Sequence, residues 1–138
     1  MSAYLDRIKS RAAELKKTIV LCEGEDKRVV EAAARITKEG IAKIVLIGNK
    51  EECERVAPGA DLTGITLIDP LTSDLTKKYA TLLYELRKDK GMTEQMAAEA
   101  AKDRTMFGAL MLKAGDVDGY VSGACHSTAN TLRPGLQV

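Results

Sequence analysis

Short apolar runs along the chain alternate with longer segments whose apolar residues recur every three or four positions. The apolar runs predict four buried β-strands, at residues 18–22, 43–48, 66–69 and 118–122. The periodic segments predict six helices, at residues 2–16, 27–39, 50–56, 74–88, 93–101 and 105–114. Strands separated by helices indicate a three-layer α/β/α domain with a mostly parallel sheet, which we expect to occupy residues 1–138.

Several polar residues and glycines are placed where these helices should begin and end. Asp26 and Asn49 precede helical segments and can accept a hydrogen bond from the first turn, and either Ser73 or Asp74 can begin the longest helix. Gly40 is expected to end the second helix in a left-handed conformation.

Two polar segments follow predicted strands, at residues 23–26 and 122–128. Ligands of parallel α/β sheets bind beyond the carboxyl ends of the strands, so both segments are candidates for a binding site. Glu23, Glu25 and Asp26 could serve as paired carboxylates or hold a divalent cation, or they could form a turn and a helix cap. We favour the turn and cap, with Gly24 allowing a ligand to come close.

The second of these segments has the pattern of an anion-binding corner. A strand that breaks at Gly123 and restarts as a helix capped by Ser127 or Thr128 leaves backbone N–H groups unpaired. These donors and the helix dipole favour a phosphate or a carboxylate, and the Arg133 guanidinium adds a positive fork. The alternative is an ordinary strand-to-helix turn with a surface arginine.

Composition narrows the class of protein. Of the 138 residues, 45% are hydrophobic and 30% charged, with a net charge of +1, as in a soluble globular domain without a field for nucleic acid. No apolar run approaches the roughly 20 residues of a membrane span, and the charged N-terminus does not resemble a secretory signal. Three scattered cysteines and one histidine indicate reduced thiols in the cytoplasm and no metal centre.

Three blocks of sequence resemble the phosphotransacetylases, the phosphate acetyl/butyryl transferase family. Residues 122–134, SGACHSTANTLRP, match one family signature, and residues 84–93, YELRKDKGMT, match a second. Residues 23–29, EGEDKRV, and the spacing of the blocks extend the resemblance over essentially the whole chain.

The resemblance implies reversible acetyl transfer between acetyl phosphate and coenzyme A. It implies catalytic roles for Arg87 and Arg133, which would hold the phosphate and stabilise developing charge. Ser127, Thr128, His126 and Gly123 would belong to the phosphate-binding site. Without the resemblance, Arg87 would be taken for a solvated charge at a helix C-terminus. Coenzyme A is a substrate here, and no covalently bound cofactor is expected.

Members of the family are two-domain homodimers, similar in fold to the isocitrate/isopropylmalate dehydrogenases, and their chains are much longer than this one. The second domain and a returning C-terminal segment, which carries a Ser-Arg pair and the Asp proposed as the base, are missing from residues 1–138. We therefore expect this chain to be a truncated N-terminal domain that is inactive alone.

Alternatives remain at two levels. The enzyme could be a phosphate butyryltransferase, or the chain could be a non-catalytic domain that senses acetyl-CoA or supports assembly, like that of some malic enzymes. Within the signature, Cys125 could form an acyl-cysteine, but a small buried residue is the favoured interpretation. His126 could orient a phosphate or satisfy a backbone group, and the sequence favours neither.

Overall fold

The structure is a computed structural model that describes residues 3–122, except for the side chain of Tyr4. The described strands form one parallel sheet in the order β3–β2–β1–β4. Their bounds are β1 Thr18–Leu21, β2 Lys43–Ile47, β3 Thr66–Ile68 and β4 Gly119–Val121. The helices of the described part are α1 Ala3–Leu15, α2 Lys27–Glu39, α3 Lys50–Val56, α4 Leu75–Arg87, α5 Glu94–Ala100 and α6 Arg104–Lys113, with a 3₁₀ turn at Lys88–Lys90.

Helices cover both faces of this sheet, which confirms the three-layer α/β/α prediction. Side chains alternate along a strand, so Val45 and Ile47 of β2 point to one face and Ile44 and Leu46 to the other. The first pair packs in a core formed with α4, α5 and α6, and the second pair packs in a core formed with α2 and α3. Burial on both faces explains why the strands read as continuous apolar runs.

Local capping sets most helix ends close to their predicted positions. The Asp26 carboxylate accepts a hydrogen bond from Arg28 N at 2.8 Å, Asn49 Oδ1 accepts from Glu52 N at 2.9 Å, and Gly40 adopts the left-handed conformation with φ of 69°. Of the two candidates for the start of α4, Ser73 supplies the hydroxyl, which accepts from Leu75 N at 3.1 Å.

The predicted start of α6 at residue 105 is one residue late. The Asp103 carboxylate accepts a hydrogen bond from Met106 N at 2.9 Å, so the helix begins at Arg104. Strands β1 to β4 likewise end one residue before the predicted limits, because Cys22, Gly48, Asp69 and Ser122 already belong to the loops.

α1 is the helix whose apolar positions are least covered. Leu5, Ile8 and Leu15 are between 45% and 50% exposed. Its Lys9 pairs with Glu39 of α2 at 3.3 Å. No helix in the described part of the chain combines the length and the apolar character needed to cross a membrane.

α6 is buried on all sides from Thr105 to Met111 and crosses the sheet behind β1 and β4. This close packing depends on Gly108, since a Cβ there would lie 2.4 Å from Cys22 Sγ. Glycine is otherwise a poor residue for a helix interior.

We therefore predict that Gly108→Ala lowers the free energy of unfolding by about 1–2 kcal/mol, although alanine is the better helix former. Cys22→Ala removes the sulfur that the new methyl group would strike. In the Cys22→Ala background, Gly108→Ala should be neutral or stabilising, giving a coupling energy of about 1–3 kcal/mol in a urea-denaturation double-mutant cycle. Additive effects would show that the two residues do not clash.

Candidate functional site

The strand order places a binding crevice between β1 and β4. The chain runs from β1 through β2 to β3 on one side and then returns to place β4 on the other side of β1. Ligands of open α/β sheets bind where the strand order reverses in this way, beyond the carboxyl ends of the strands. At that end Cys22 N donates a hydrogen bond to Val121 O at 3.1 Å. The two polar segments noted in the sequence therefore leave neighbouring strands.

A groove of about 360 Å³ opens at this edge of the sheet, beside α2. Most of its walls are apolar, and Glu23, Arg28 and Ser122 add polar groups. Its lining residues are Leu21, Glu23, Arg28, Val29, Ala32, Ile36, Val121 and Ser122. An apolar groove with a few polar groups is the usual form of a small-molecule site.

The loop between β1 and α2 is a turn that ends in a helix cap, as the sequence analysis favoured. Glu23 is only 1% exposed, and Asp26 caps α2. Hydrogen bonds from the Arg28 side chain are the main cause that lowers the pKa of the Asp26 carboxyl, and the Arg28 backbone N–H adds to it. Among residues 3–122, no group of three or more His, Cys, Asp or Glu side chains is arranged to hold a metal ion.

Gly24 packs closely against the backbone at the end of β2. Its N–H donates a hydrogen bond to Ile47 O at 3.0 Å, and a Cβ at this position would lie 2.5 Å from the same oxygen. The close approach that glycine permits in the structure is to the end of β2, and the approach of a ligand to Gly24 stays a prediction. The contact with β2 fixes the path of the loop that lines the groove.

Arg104 is a residue of this edge that the sequence analysis did not single out. Its guanidinium donates to both Glu52 oxygens, at 2.7 and 2.8 Å, to the Glu25 carboxylate, and to Ile47 O at 3.3 Å. The hydrogen bonds to Glu52 are the main cause that raises the pKa of Arg104, with the Glu25 charge adding to it. A positive charge in the first turn of a helix interacts unfavourably with the helix dipole. This feature of the sequence could have indicated that Arg104 is paired with carboxylates.

Cys22 follows β1 and is hydrogen-bonded to Ser122, which follows β4 and lines the groove. Ser122 Oγ lies 3.1 Å from Thr105 Oγ1, with which it shares a hydrogen bond. Burial, followed by the charges of Glu23, Asp103 and Glu25, raises the pKa of the Cys22 thiol to about 12, and a hydrogen bond with Ser122 opposes this only partly. A buried thiol with this pKa is not a nucleophile at neutral pH.

The raised pKa of Cys22 predicts how stability changes in alkali. The unfolded chain loses the thiol proton above pH 9.0, whereas the folded chain keeps it until about pH 12. The contribution of Cys22 to the free energy of unfolding is therefore complete below pH 9 and falls by up to about 1.4 kcal/mol per pH unit above it. Urea denaturation between pH 8 and 11 should show that the free energy of unfolding falls less steeply with pH for Cys22→Ala than for the unmodified chain. Parallel curves would contradict the raised pKa of Cys22.

Of the six residues proposed from the sequence for the site, the structure describes Arg87 alone. Arg87 is the last residue of α4, is partly buried, and accepts a hydrogen bond from Met92 N at its carbonyl oxygen. Within residues 3–122, no hydrogen bond or ion pair to its guanidinium is observed. Outside the described residues lie Gly123, His126, Ser127, Thr128 and Arg133, as does Cys125. The expected convergence of Arg87 and Arg133 thus stays a prediction.

Comparison with known sequences agrees with the resemblance seen in the three blocks. The family described as "Phosphate acetyl/butaryl transferase" matches residues 3–138. A phosphate acetyltransferase from Acetivibrio thermocellus is 51% identical over 136 residues, which span 99% of this chain and 41% of that protein. A phosphate acetyltransferase from Escherichia coli is 46% identical over 139 residues, spanning 99% of this chain and 19% of that protein.

Solved structures of similar fold carry related names. A phosphotransacetylase from Streptococcus pyogenes superposes with a TM-score of 0.90 at 35% identity, over 100% of this chain and 43% of the other. The EutD phosphotransacetylase from Staphylococcus aureus superposes with a TM-score of 0.87 at 35% identity, over 97% of this chain and 41% of the other. The chain spans less than half the length of these relatives. By sequence and by fold, it belongs to the phosphate acetyl/butaryl transferase family.

Proposed function

We propose that this chain is the N-terminal α/β domain of a phosphate acetyltransferase, which transfers an acetyl group reversibly between acetyl phosphate and coenzyme A. The observation that carries the proposal is the position of Ser122, the first residue of the signature segment. Ser122 follows β4 at the edge where the strand order reverses, and it lines the groove together with Glu23 of the loop after β1. Relatives that span the same residues are phosphate acetyltransferases.

The proposed chemistry is direct transfer to the thiol. The coenzyme A thiolate attacks the acetyl carbonyl, a C–S bond forms, and the C–O bond to phosphate breaks, so that inorganic phosphate leaves. Arg87 and Arg133 hold the phosphoryl oxygens and stabilise the charge that collects on them. Gly123, His126, Ser127 and Thr128 form the phosphate-binding turn, where backbone N–H groups at a helix start add donors.

An acyl-enzyme intermediate is not needed in this scheme. Cys22 is the described cysteine nearest the groove, and its buried thiol has a pKa of about 12, so it stays protonated during turnover. Cys125, the candidate for an acyl-cysteine in the sequence, lies outside the described residues. We take the reacting thiol to be that of coenzyme A and Cys125 to be a small buried residue. The base that deprotonates it is expected in the second domain.

The remaining parts of the proposal concern the whole enzyme. We infer a cytoplasmic, homodimeric protein from the resemblance to the family. We also infer that a second domain completes the site, because this chain spans only 41% of the Acetivibrio thermocellus relative. Phosphate butyryltransferase shares the chemistry and differs in the acyl pocket. A non-catalytic domain that binds acetyl-CoA would retain the fold without turnover.

Thioester formation from acetyl phosphate and coenzyme A tests the proposal. We expect turnover by the protein in which this chain is continued by the second domain, faster with acetyl phosphate than with butyryl phosphate. We expect residues 1–138 alone to give no turnover above the buffer rate. A complete protein that binds acetyl-CoA but forms no thioester would contradict the enzymatic function, and normal turnover by residues 1–138 would contradict the division into domains.

A further inference from the structure

Two adjacent residues in the first turn of α6, Arg104 and Thr105, contact the two loops that flank the crevice. Arg104 reaches the loop after β1, and Thr105 reaches the residue that follows β4. The first turn of α6 therefore contacts both the loop after β1 and the residue that follows β4.

Arg104 holds the loop after β1 by several bonds at once. Its two Nη atoms donate to both oxygens of Glu52 in α3, and Nη1 also donates to the Glu25 carboxylate. The same nitrogen donates to Ile47 O at 3.3 Å, at the end of β2. The side chain is only 25% exposed. Only a planar guanidinium provides donors in this fixed fork, so lysine would keep the charge and lose the geometry.

Thr105 contacts Ser122, the residue that follows β4. It is 2% exposed, and its Oγ1 lies 3.1 Å from Ser122 Oγ. A buried hydroxyl is costly unless it is hydrogen-bonded, so this bond favours one orientation of Ser122. Ser122 directly precedes Gly123, where the signature turn begins.

The turn that carries both residues is itself anchored. Asp103 caps α6 through Met106 N, and Phe107 and Leu110 are fully buried in the core behind the sheet. Because packed cores do not deform gradually, the first turn of α6 holds the two loops in a fixed relative position.

We propose that Arg104 and Thr105 are positioning residues for the phosphate site, acting through the loop after β1 and through Ser122. The proposal rests on the proposed function, since it assigns them to the same site. They do not contact the substrate. They fix the loop after β1, which lines the groove, and Ser122, which directly precedes the proposed phosphate-binding turn. A small displacement of such supports weakens binding and catalysis strongly.

Binding of inorganic phosphate to residues 1–138, followed by two-dimensional amide NMR, tests the proposal with three variants. Thr105→Val keeps the shape of the side chain and removes the hydroxyl, and we expect it to weaken phosphate binding about five- to tenfold. Thr105→Ser restores the hydroxyl and should bind within about twofold of the unmodified chain. Arg104→Lys should weaken binding about as much as Thr105→Val.

Two control variants carry the same types of substitution at exposed positions outside the site. Thr81→Val removes a hydroxyl that donates to Lys77 O on the exposed side of α4, and Arg35→Lys alters the exposed pair with Glu39. Both controls should bind phosphate normally. The melting temperature of every variant is measured, and phosphate binding is compared at a temperature at which all variants are folded.

The outcomes separate the two proposals. If the unmodified chain does not bind phosphate, the assignment of the phosphate site in the proposed function is wrong. If it binds, but folded Thr105→Val and Arg104→Lys bind equally well, the positioning role is wrong. Should Thr105→Val fail to fold, Arg104→Lys decides: normal binding by that variant overturns the positioning role. Weakened binding by Thr105→Val without rescue by Thr105→Ser would also overturn it.

Discussion

Replacing Gly24 by alanine is expected to lower the free energy of unfolding by about 3 kcal/mol. The new Cβ would lie 2.5 Å from Ile47 O and 3.2 Å from Gly48 Cα, and both are backbone atoms that cannot rotate away. The loop after β1 would have to move, and the hydrogen bond from Gly24 N to Ile47 O would be lost with it. Urea denaturation of residues 1–138 measures the effect.

Gly59→Ala is the matched control. Gly59 has φ of 88°, but in the described part of the chain no heavy atom lies within 4 Å of the place where its Cβ would be. This change carries only the backbone cost of a left-handed alanine, about 1 kcal/mol. Equal losses for Gly24→Ala and Gly59→Ala would show that the contact with Ile47 does not constrain the loop.

Replacing Arg87 by glutamine in the complete enzyme is expected to lower kcat/KM for acetyl phosphate by about 100-fold or more. Removing one donor from a preorganised anion site typically costs a factor of this size, because the charge develops where water is largely excluded. The fold should be unaffected, since within residues 3–122 no hydrogen bond or ion pair to the Arg87 guanidinium is observed. Arg87→Lys should recover part of the activity by retaining the charge.

Lys88→Gln provides the comparison for that experiment. Lys88 adjoins Arg87 and pairs with Glu85 at 2.9 Å on the exposed surface. Its replacement removes one positive charge from the same end of α4, so a general electrostatic effect would appear in both variants. We expect Lys88→Gln to retain at least about half of the activity. If the two variants lose activity equally, Arg87 has no specific role in holding phosphate.

The sequence predicts the parts of this fold that depend on neighbouring residues. Three helix caps depend only on nearby residues, because each side chain accepts a hydrogen bond from a backbone N–H two or three positions later. These caps are Asp26, Asn49 and Thr93, and the sequence alone is enough to predict them. The start of α6 was misplaced because Thr105 is itself a good capping residue, and only the structure shows it buried while Asp103 makes the cap.

The connections across the candidate site could not be predicted in this way. Arg104 is separated from Glu52 by 52 positions and from Glu25 by 79, and Thr105 is separated from Ser122 by 17. These contacts depend on the order of the strands. The alternation of strands and helices predicted a parallel sheet, but it did not determine that β4 lies beside β1. The packing of Gly24 against the end of β2 could not be predicted for the same reason.

We propose that Arg87 and Arg133 bind one phosphate together at the edge between β1 and β4. Titration of residues 1–138 with inorganic phosphate, observed at the arginine Nε–H signals and assigned with Arg87→Lys and Arg133→Lys, measures this directly. We expect both signals to shift with a single dissociation constant, together with the Ser122 amide. Separate constants for the two arginines, or no shift at either, would contradict it.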